Sequence, residues 1–219
     1  MAAPAAAQVG ASVSLFSDAR LRGFSLSDGR PVASLDLAYD DPSGFYLGGS
    51  ARAVVRRGGS PAPLGIQLDG GYAVRFASGT SLDLGVTHSS YSDYSSNRAG
   101  ASYTEVYAGI SRGVLLTRIF LSPHYFARRR WTAYGEVAGN IDLGRRWTIT
   151  AHAGTLVPLR SPENRPNDPL GFDWSIGVTK ALGRLALHAT FSDAASGRDF
   201  YSDSRHGRSA LVVGATIGL

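Results

Sequence analysis

The sequence predicts an all-β protein: a closed, antiparallel, up-and-down transmembrane β-barrel of about twelve strands. Three observations carry that prediction. Apolar residues recur at every second position along most of the 219-residue chain, which is the period of a strand and not of a helix. The connections between these segments run long, short, long, short without a break. The face opposite the apolar one is rich in Gly, Ser, Thr and Ala, and only 18% of all residues are charged.

Taken in order, the predicted strands are 9–17, 31–40, 44–55, 63–77, 80–89, 101–111, 114–122, 130–142, 146–157, 171–181, 184–192 and 208–219. Each is about ten residues long, the span of a tilted membrane strand. The pattern is plain from Leu64 onward, where Leu64, Ile66, Leu68, Gly70, Tyr72, Val74 and Phe76 oppose Gly65, Gln67, Asp69, Gly71, Ala73 and Arg75. It recurs with Trp147, Ile149, Ala151, Ala153, Thr155 and Val157, and again with Phe172, Trp174, Ile176 and Val178. Tight turns are expected at Asp41-Pro42-Ser43, Ser78-Gly79, Arg112-Gly113, Leu143-Gly144 and Leu182-Gly183; residues 18–30, 56–62, 90–100, 123–129, 158–170 and 193–207 form the longer connections. Short turns on the periplasmic side, long loops outside and both termini periplasmic is the pattern of outer-membrane barrels. A soluble β-sandwich alternates in the same way, but its outer face would be densely charged. Aromatics near strand ends on the apolar face favour the bilayer: Tyr39, Phe45 and Trp147 at one level, Trp131, Phe172 and Phe191 at the other.

Composition removes several classes. The chain has no cysteine, so disulfide frameworks and Cys-based zinc sites are excluded. No stretch approaches the roughly 18–20 apolar residues of a membrane-spanning helix. Met1 to Gln8, Met-Ala-Ala-Pro-Ala-Ala-Ala-Gln, reads as a residual signal or processing segment, or a flexible N-terminus, ahead of one barrel domain at 9–219. That reading places the protein in the bacterial outer membrane after export through the periplasm.

Further residues resemble a known family. Ser17-Asp18-Ala19-Arg20-Leu21-Arg22-Gly23-Phe24-Ser25 followed by Pro31, Gly44-Phe45-Tyr46, the Tyr103–Gly109 segment, His152 with Gly154, and Asp173-Trp174-Ser175-Ile176-Gly177-Val178 are similar to blocks of the Gcw_chp family. The resemblance implies a proteobacterial barrel with an outer-membrane address. It carries over no catalytic residue, because that family's function is not established. The chain ends in Leu219 where outer-membrane barrels typically carry an aromatic.

Strand parity predicts what lines the lumen, since facing residues of an antiparallel pair point the same way. Arg75 is expected to face Asp83, Glu136 to lie opposite His152, and Glu105 diagonal to Arg118; Asp36, Arg52, Asp69, Asp173 and His188 also point inward. Six acids against three arginines tilt such a lining toward cations or polar neutral solutes. Tyr46, Tyr103, Tyr107, Tyr134 and Phe16 point inward too and narrow the space. No connection longer than about 15 residues exists to act as a separate plug, so a narrow pore is expected. Bracing ion pairs without transport is the plainer reading of the same charges.

Most arginines fall in the long connections, among them Arg20, Arg22 and Arg128-Arg129-Arg130. Arginine pairs well with phosphate and carboxylate, so these five are candidates for contact with outer-membrane lipid headgroups or an external anion. Basic residues scattered over loops without an aromatic platform argue against nucleic acid. No cofactor, metal site or catalytic residue is expected. A lipid hydrolase built from His88, Ser90 and Asn97 is the weakest reading, since a serine two residues from a histidine is cheap in so serine-rich a loop. The leading expectation is a narrow passive channel for small polar or cationic solutes. Its alternative is a non-conducting structural or interaction barrel whose Arg-rich loops bind headgroups or a partner protein, with a lipoprotein or a second copy of the chain as candidates.

Overall fold

The structure, a computed structural model, describes residues 7–56, 58–92, 101–127, 131–159, 171–194 and 209–219. In chain order its strands are β1 (Gln8–Phe16), β2 (Arg20–Leu21), β3 (Phe24–Ser25), β4 (Val32–Asp40), β5 (Phe45–Val55), β6 (Pro61–Arg75), β7 (Thr80–Tyr91), β8 (Ala101–Arg112), β9 (Leu115–Ser122), β10 (Thr132–Gly144), β11 (Trp147–Pro158), β12 (Gly171–Leu182), β13 (Leu185–Ala194) and β14 (Ala210–Gly218). Twelve of the strands in the described residues close into a ring in which each pairs with its sequence neighbour and β1 pairs with both β4 and β14. Among the described residues closure leaves no edge unpaired in the ring itself, the condition for spanning a bilayer with β-structure. The short strands β2 and β3 form a separate hairpin inside the first long connection, which periodicity did not reveal.

Alternation sorts the side chains as expected. Ile66, Leu68, Tyr72 and Val74 of β6 and Leu82, Leu84 and Val86 of β7 are exposed on the outer face, as are the girdle residues Tyr39, Phe45, Trp131, Trp147, Phe172 and Phe191. A soluble protein would hide so large an apolar surface; here it is the surface that lipid covers. Lys180, the one lysine of the chain, sits among the girdle residues. Its Nζ donates to the Arg145 carbonyl at 2.7 Å and lies 4.7 Å from the Trp147 ring, so the charge reaches the turn while the stem stays apolar.

Leu64 departs from the pattern. A register shift between Arg52 and Ala53, opposite Pro63 to Gly65, is a β-bulge in β6. The extra residue reverses the phase of the alternation, and Leu64 is turned inward with 0% exposure.

The tight turns fall where they were expected. Gly113 (φ 60°) and Gly183 (φ 68°) supply the left-handed backbone that two-residue hairpins need. At the first turn, Asp41 accepts hydrogen bonds from the Ser43 hydroxyl and backbone N–H, which hold its carboxyl below the usual carboxylate range. Both ends of the ring chain, β1 at Gln8 and β14 at Gly218, lie at this short-turn end.

The two ends of the lumen differ. Toward the long connections, Leu26, Val32, Val54, Leu64, Tyr91, Tyr103, Tyr125, Phe126 and Leu156 form one buried apolar cluster within the barrel. Toward the short turns, the inward residues Gln8, Ala38, Asp40, Arg75 and Asn140 are exposed. The long-connection end is packed, and the short-turn end is open to water.

Candidate functional site

The candidate site is the lumen and the hairpin that crosses it. Chain leaves β1 at Phe16 and re-enters the wall at Val32 of β4. Between them, the Asp18 carboxylate accepts hydrogen bonds from the hydroxyls of Ser25 (2.5 Å) and Ser27 (2.7 Å) and from Arg20 Nη1 (3.2 Å). Leu26 N–H donates to the Ala19 carbonyl at 2.7 Å. These bonds fold the connection on itself, with Arg22 (φ 47°) and Gly23 (φ 79°) as the two apex residues. Positive φ at both central positions is what a type I′ hairpin requires. At Gly23 a side chain would also collide, because a Cβ there would lie 2.6 Å from the Ala194 Cβ and 2.9 Å from the Asp173 Cβ.

The ring order places β9 and β10 diametrically across from the β1–β4 seam where the hairpin is rooted. The apex reaches that far wall. Nη2 of Arg22 donates to both carboxylate oxygens of Glu105 on β8, at 2.9 and 2.8 Å. Its guanidinium carbon lies 3.9 Å from the ring centre of Tyr134 on β10, 5.0 Å from Tyr125 and 5.7 Å from Phe120 on β9. Both partners of this ion pair are buried, at 10% and 4% side-chain exposure.

Two further networks brace the wall. Asp83 accepts from Tyr46 Oη at 2.5 Å and from Arg118 Nη2 at 3.1 Å, and the hydroxyls of Tyr46 and Tyr107 are in contact. Tyr134 donates to Asp173 (3.1 Å to Oδ2), and His152 Nε2 lies 2.9 Å from Asp173 Oδ1 and 3.0 Å from Tyr134 Oη. The other ring nitrogen of His152 stands 3.9 Å from Glu136 Oε2. Glycines face these tyrosines: a Cβ on Gly85 would lie 2.5 Å from the Tyr107 hydroxyl, and one on Gly154 2.0 Å from that of Tyr134. The rings lie flat against the wall because nothing projects beneath them.

A cavity of about 400 Å³ runs beside the hairpin, lined by Arg20, Arg22, Tyr46, Asp69, Arg118, Tyr134, Glu136 and His152 among others. Two smaller spaces, of about 270 and 300 Å³, also touch Arg20 and Asp18. The hairpin therefore divides the lumen and does not merely cover its mouth.

Several expected placements need correction. Arg20 and Arg22 are not external headgroup ligands: both lie inside the barrel, because the connection carrying them folds inward and finds carboxylates there. A 15-residue connection therefore does occupy the lumen. Arg75 is paired with Ser81, and Asp83 with Ala73, so Arg75 does not face Asp83 and is exposed at the short-turn end. Glu136 is paired with Gly154 and meets His152 only diagonally. Glu105 binds Arg22, while Arg118 binds Asp83. In the β6–β7 and β10–β11 hairpins the register differs from expectation by two residues, which preserves parity and face but changes partners.

The other inward placements are as follows. Asp36 accepts from the Ser34 hydroxyl at 2.9 Å, and Asp36 and Arg52 line the 270 Å³ space. His188 sits between the hydroxyls of Thr179 (3.0 Å) and Thr216 (3.1 Å). Arg128, Arg129, Arg130 and Asn97 lie outside the described residues. His88 is on the outer face with Nδ1 2.9 Å from Thr104 Oγ1; among the described residues no hydrogen bond joins it to Ser90. Among the described residues no group of three His, Asp or Glu side chains is placed to hold a metal ion.

Sequence reasoning missed the hairpin, although a signal for it was present. Val32, Val54, Tyr91, Tyr103 and Leu156 are inward positions beside the long connections, and an apolar lining there is incompatible with a water-filled mouth.

A model of the Gcw_chp family, described as a bacterial protein of unknown function, matches residues 2–216. No curated protein matches the sequence. Among solved structures the chain resembles the KdgM porin (TM-score 0.59, 11% identity, 96% of this chain and 99% of that one). It also resembles the NanC porin (TM-score 0.62, 8% identity, 95% and 98%). Outer membrane phospholipase A from Escherichia coli is similar at TM-score 0.51, with 12% identity over 96% and 92% of the two chains. At these identities the likeness is one of fold: a porin-like outer-membrane β-barrel.

Proposed function

The chain belongs to the Gcw_chp family, and from its lumen we propose that it is a narrow passive channel of the outer membrane for small polar or cationic solutes. The observation that carries this reading is the balance of charge inside the barrel. With the hairpin included, the inward acids Asp18, Asp36, Asp40, Asp69, Asp83, Glu105, Glu136 and Asp173 outnumber the inward arginines Arg20, Arg22, Arg52, Arg75 and Arg118. Arg20, Arg22 and Arg118 are each taken up by one carboxylate, those of Asp18, Glu105 and Asp83. Asp69 and Glu136 also line the 400 Å³ cavity, and among the described residues neither makes an ion pair with an arginine, since the nearby Arg118 is bound to Asp83. Closely spaced carboxylates in a confined aqueous space favour cations over anions. The porin-like fold supports a transport role, and selectivity would follow from the lining alone, with no moving machinery or energy source.

The test is conductance in planar bilayers, with Glu136→Gln alongside. Stepwise, cation-leaning currents that shift toward anions in the variant are expected. Silence at high protein load overturns the channel.

The hairpin spanning the lumen favours a second reading, a non-conducting barrel that serves as a scaffold for lipid or a partner protein. Removal of residues 18–30 separates the two. A barrel silent with the hairpin and silent without it is the scaffold.

A further inference from the structure

We infer that the wall around Glu105 is a receiving site for guanidinium and primary ammonium groups, and that Arg22 occupies it as an internal stand-in for such a solute. This deepens the channel reading and rests on it for the solute's route into the lumen.

The first ground is the composition of the pocket. Glu105 is 3% exposed, and its hydrogen-bond partner among the described residues is Arg22, which reaches both of its oxygens. Ring faces of Tyr134, Tyr125 and Phe120 stand 3.9, 5.0 and 5.7 Å from the guanidinium carbon. One buried carboxylate walled by three aromatic rings is how a planar or compact cation is held away from water. The same groups would be a poor place for an anion.

The second ground is the conformation of the occupant. Arg22 holds φ 47° at the first apex position of the hairpin, where glycine or asparagine fits without strain and a long side chain does not. The turn itself has no use for arginine. What the position gains from arginine is a guanidinium delivered to the opposite wall.

The third ground is access. Arg22 lines both the 400 Å³ and the 300 Å³ cavities, and its Nη1 is buried without a hydrogen-bond partner. The Glu105 carboxylate engages the Nη2 side of the guanidinium, and the Arg22 side chain borders the open space of the two cavities. A solute arriving through that space meets the cage from the cavity side and competes with Arg22 for Glu105.

The experiment empties the cage. Arg22→Gly suits the positive φ of the turn, and compact migration on unheated gels confirms the folded barrel; Arg22→Asn serves as a second variant with the same backbone tolerance. Guanidinium chloride at low millimolar concentration is titrated into each protein in detergent micelles by calorimetry, with sodium chloride at matched ionic strength as reference. Expected are at least tenfold tighter binding of guanidinium by Arg22→Gly than by the unsubstituted chain, and loss of that gain in Arg22→Gly/Glu105→Gln. Equal binding by the unsubstituted chain and Arg22→Gly, or binding that survives Glu105→Gln, overturns the site. Because calorimetry needs no current, binding with silent bilayers would remove the channel and keep the cage. Currents without the binding gain would do the reverse.

Discussion

The two ends of this barrel are built on the same twelve strands and share the same alternation, yet one is dry and the other wet. At the long-connection end, Val54, Leu64, Tyr91, Tyr103 and Phe126 pack inside the ring with Leu26 from the hairpin. Tyr103 lies 4.8 Å, centre to centre, from both Tyr125 and Phe126. At the short-turn end the inward face is small or polar and carries no such cluster among the described residues; Gln8, Ala38, Asp40, Arg75 and Asn140 stand exposed there. The outer face cannot cause this difference, because it is apolar at both ends and sees lipid throughout. What separates the ends is the inward lining. Apolar inward residues cannot be left facing water in a tube of this width, so chain from two connections folds in to cover them. A polar lining needs no such cover.

The comparison can be broken most forcefully at the hairpin's anchor. Glu105→Ala leaves the Arg22 charge buried without its carboxylate, and breaking a buried pair in this way costs about 3–5 kcal/mol. Hairpin displacement is therefore expected. A single cysteine at Leu26→Cys, in a chain with no other cysteine, reports it. The thiol should react slowly with a bulky maleimide in the intact background and much faster beside Glu105→Ala; equal rates would mean that Arg22 does not hold the hairpin.

Next in size is a matched pair of leucines. Leu64 is in the dry cluster and Leu68 on the lipid face. Truncation to alanine removes the same groups, but fluid lipid refills the space at Leu68 while a cavity stays at Leu64. Leu64→Ala should cost more than Leu68→Ala by about 2 kcal/mol, measured by urea unfolding from vesicles. Equal losses would deny that the long-connection end is close-packed.

Gly154→Ala probes the boundary between the ends. Its Cβ would meet the Tyr134 hydroxyl at 2.0 Å, so the ring must shift from Asp173 and His152, at about 1–3 kcal/mol. Because Tyr134 also covers the Arg22 guanidinium, labelling of Leu26→Cys should rise modestly. The smallest effect belongs to the wet end. Arg75→Gln, exposed and paired with Ser81, should change stability by no more than about 0.5 kcal/mol and leave the hairpin seated.

The candidate site was legible in parts that follow from local pattern. Asp69, Asp83, Glu105, Arg118, Glu136, His152 and Asp173 are all on the lumen face as parity requires. Their partners were not legible. The observed β6–β7 and β10–β11 registers moved Arg75 away from Asp83 and set Glu136 diagonal to His152. The bulge near Arg52 inverted Leu64. Each shift preserves or flips a face by a residue count that turn and bulge geometry decides, and periodicity contains no record of that count. Arg22 was the largest surprise. By position it is a loop arginine like Arg128, and only its contact with β8 and β10 shows that it is buried.

By itself, then, the sequence determined the class, the strand count, the positions of the tight turns and which face of each strand meets lipid. All of these follow from a two-residue period and from turn residues, which act over a few positions of chain. Tertiary structure alone decided that the first long connection crosses the lumen, that Arg22 replaces lipid headgroups with Glu105, and that one end of the tube is packed. Those features depend on residues more than eighty positions apart meeting across a closed ring, and closure brings them together only after every strand has found its neighbour.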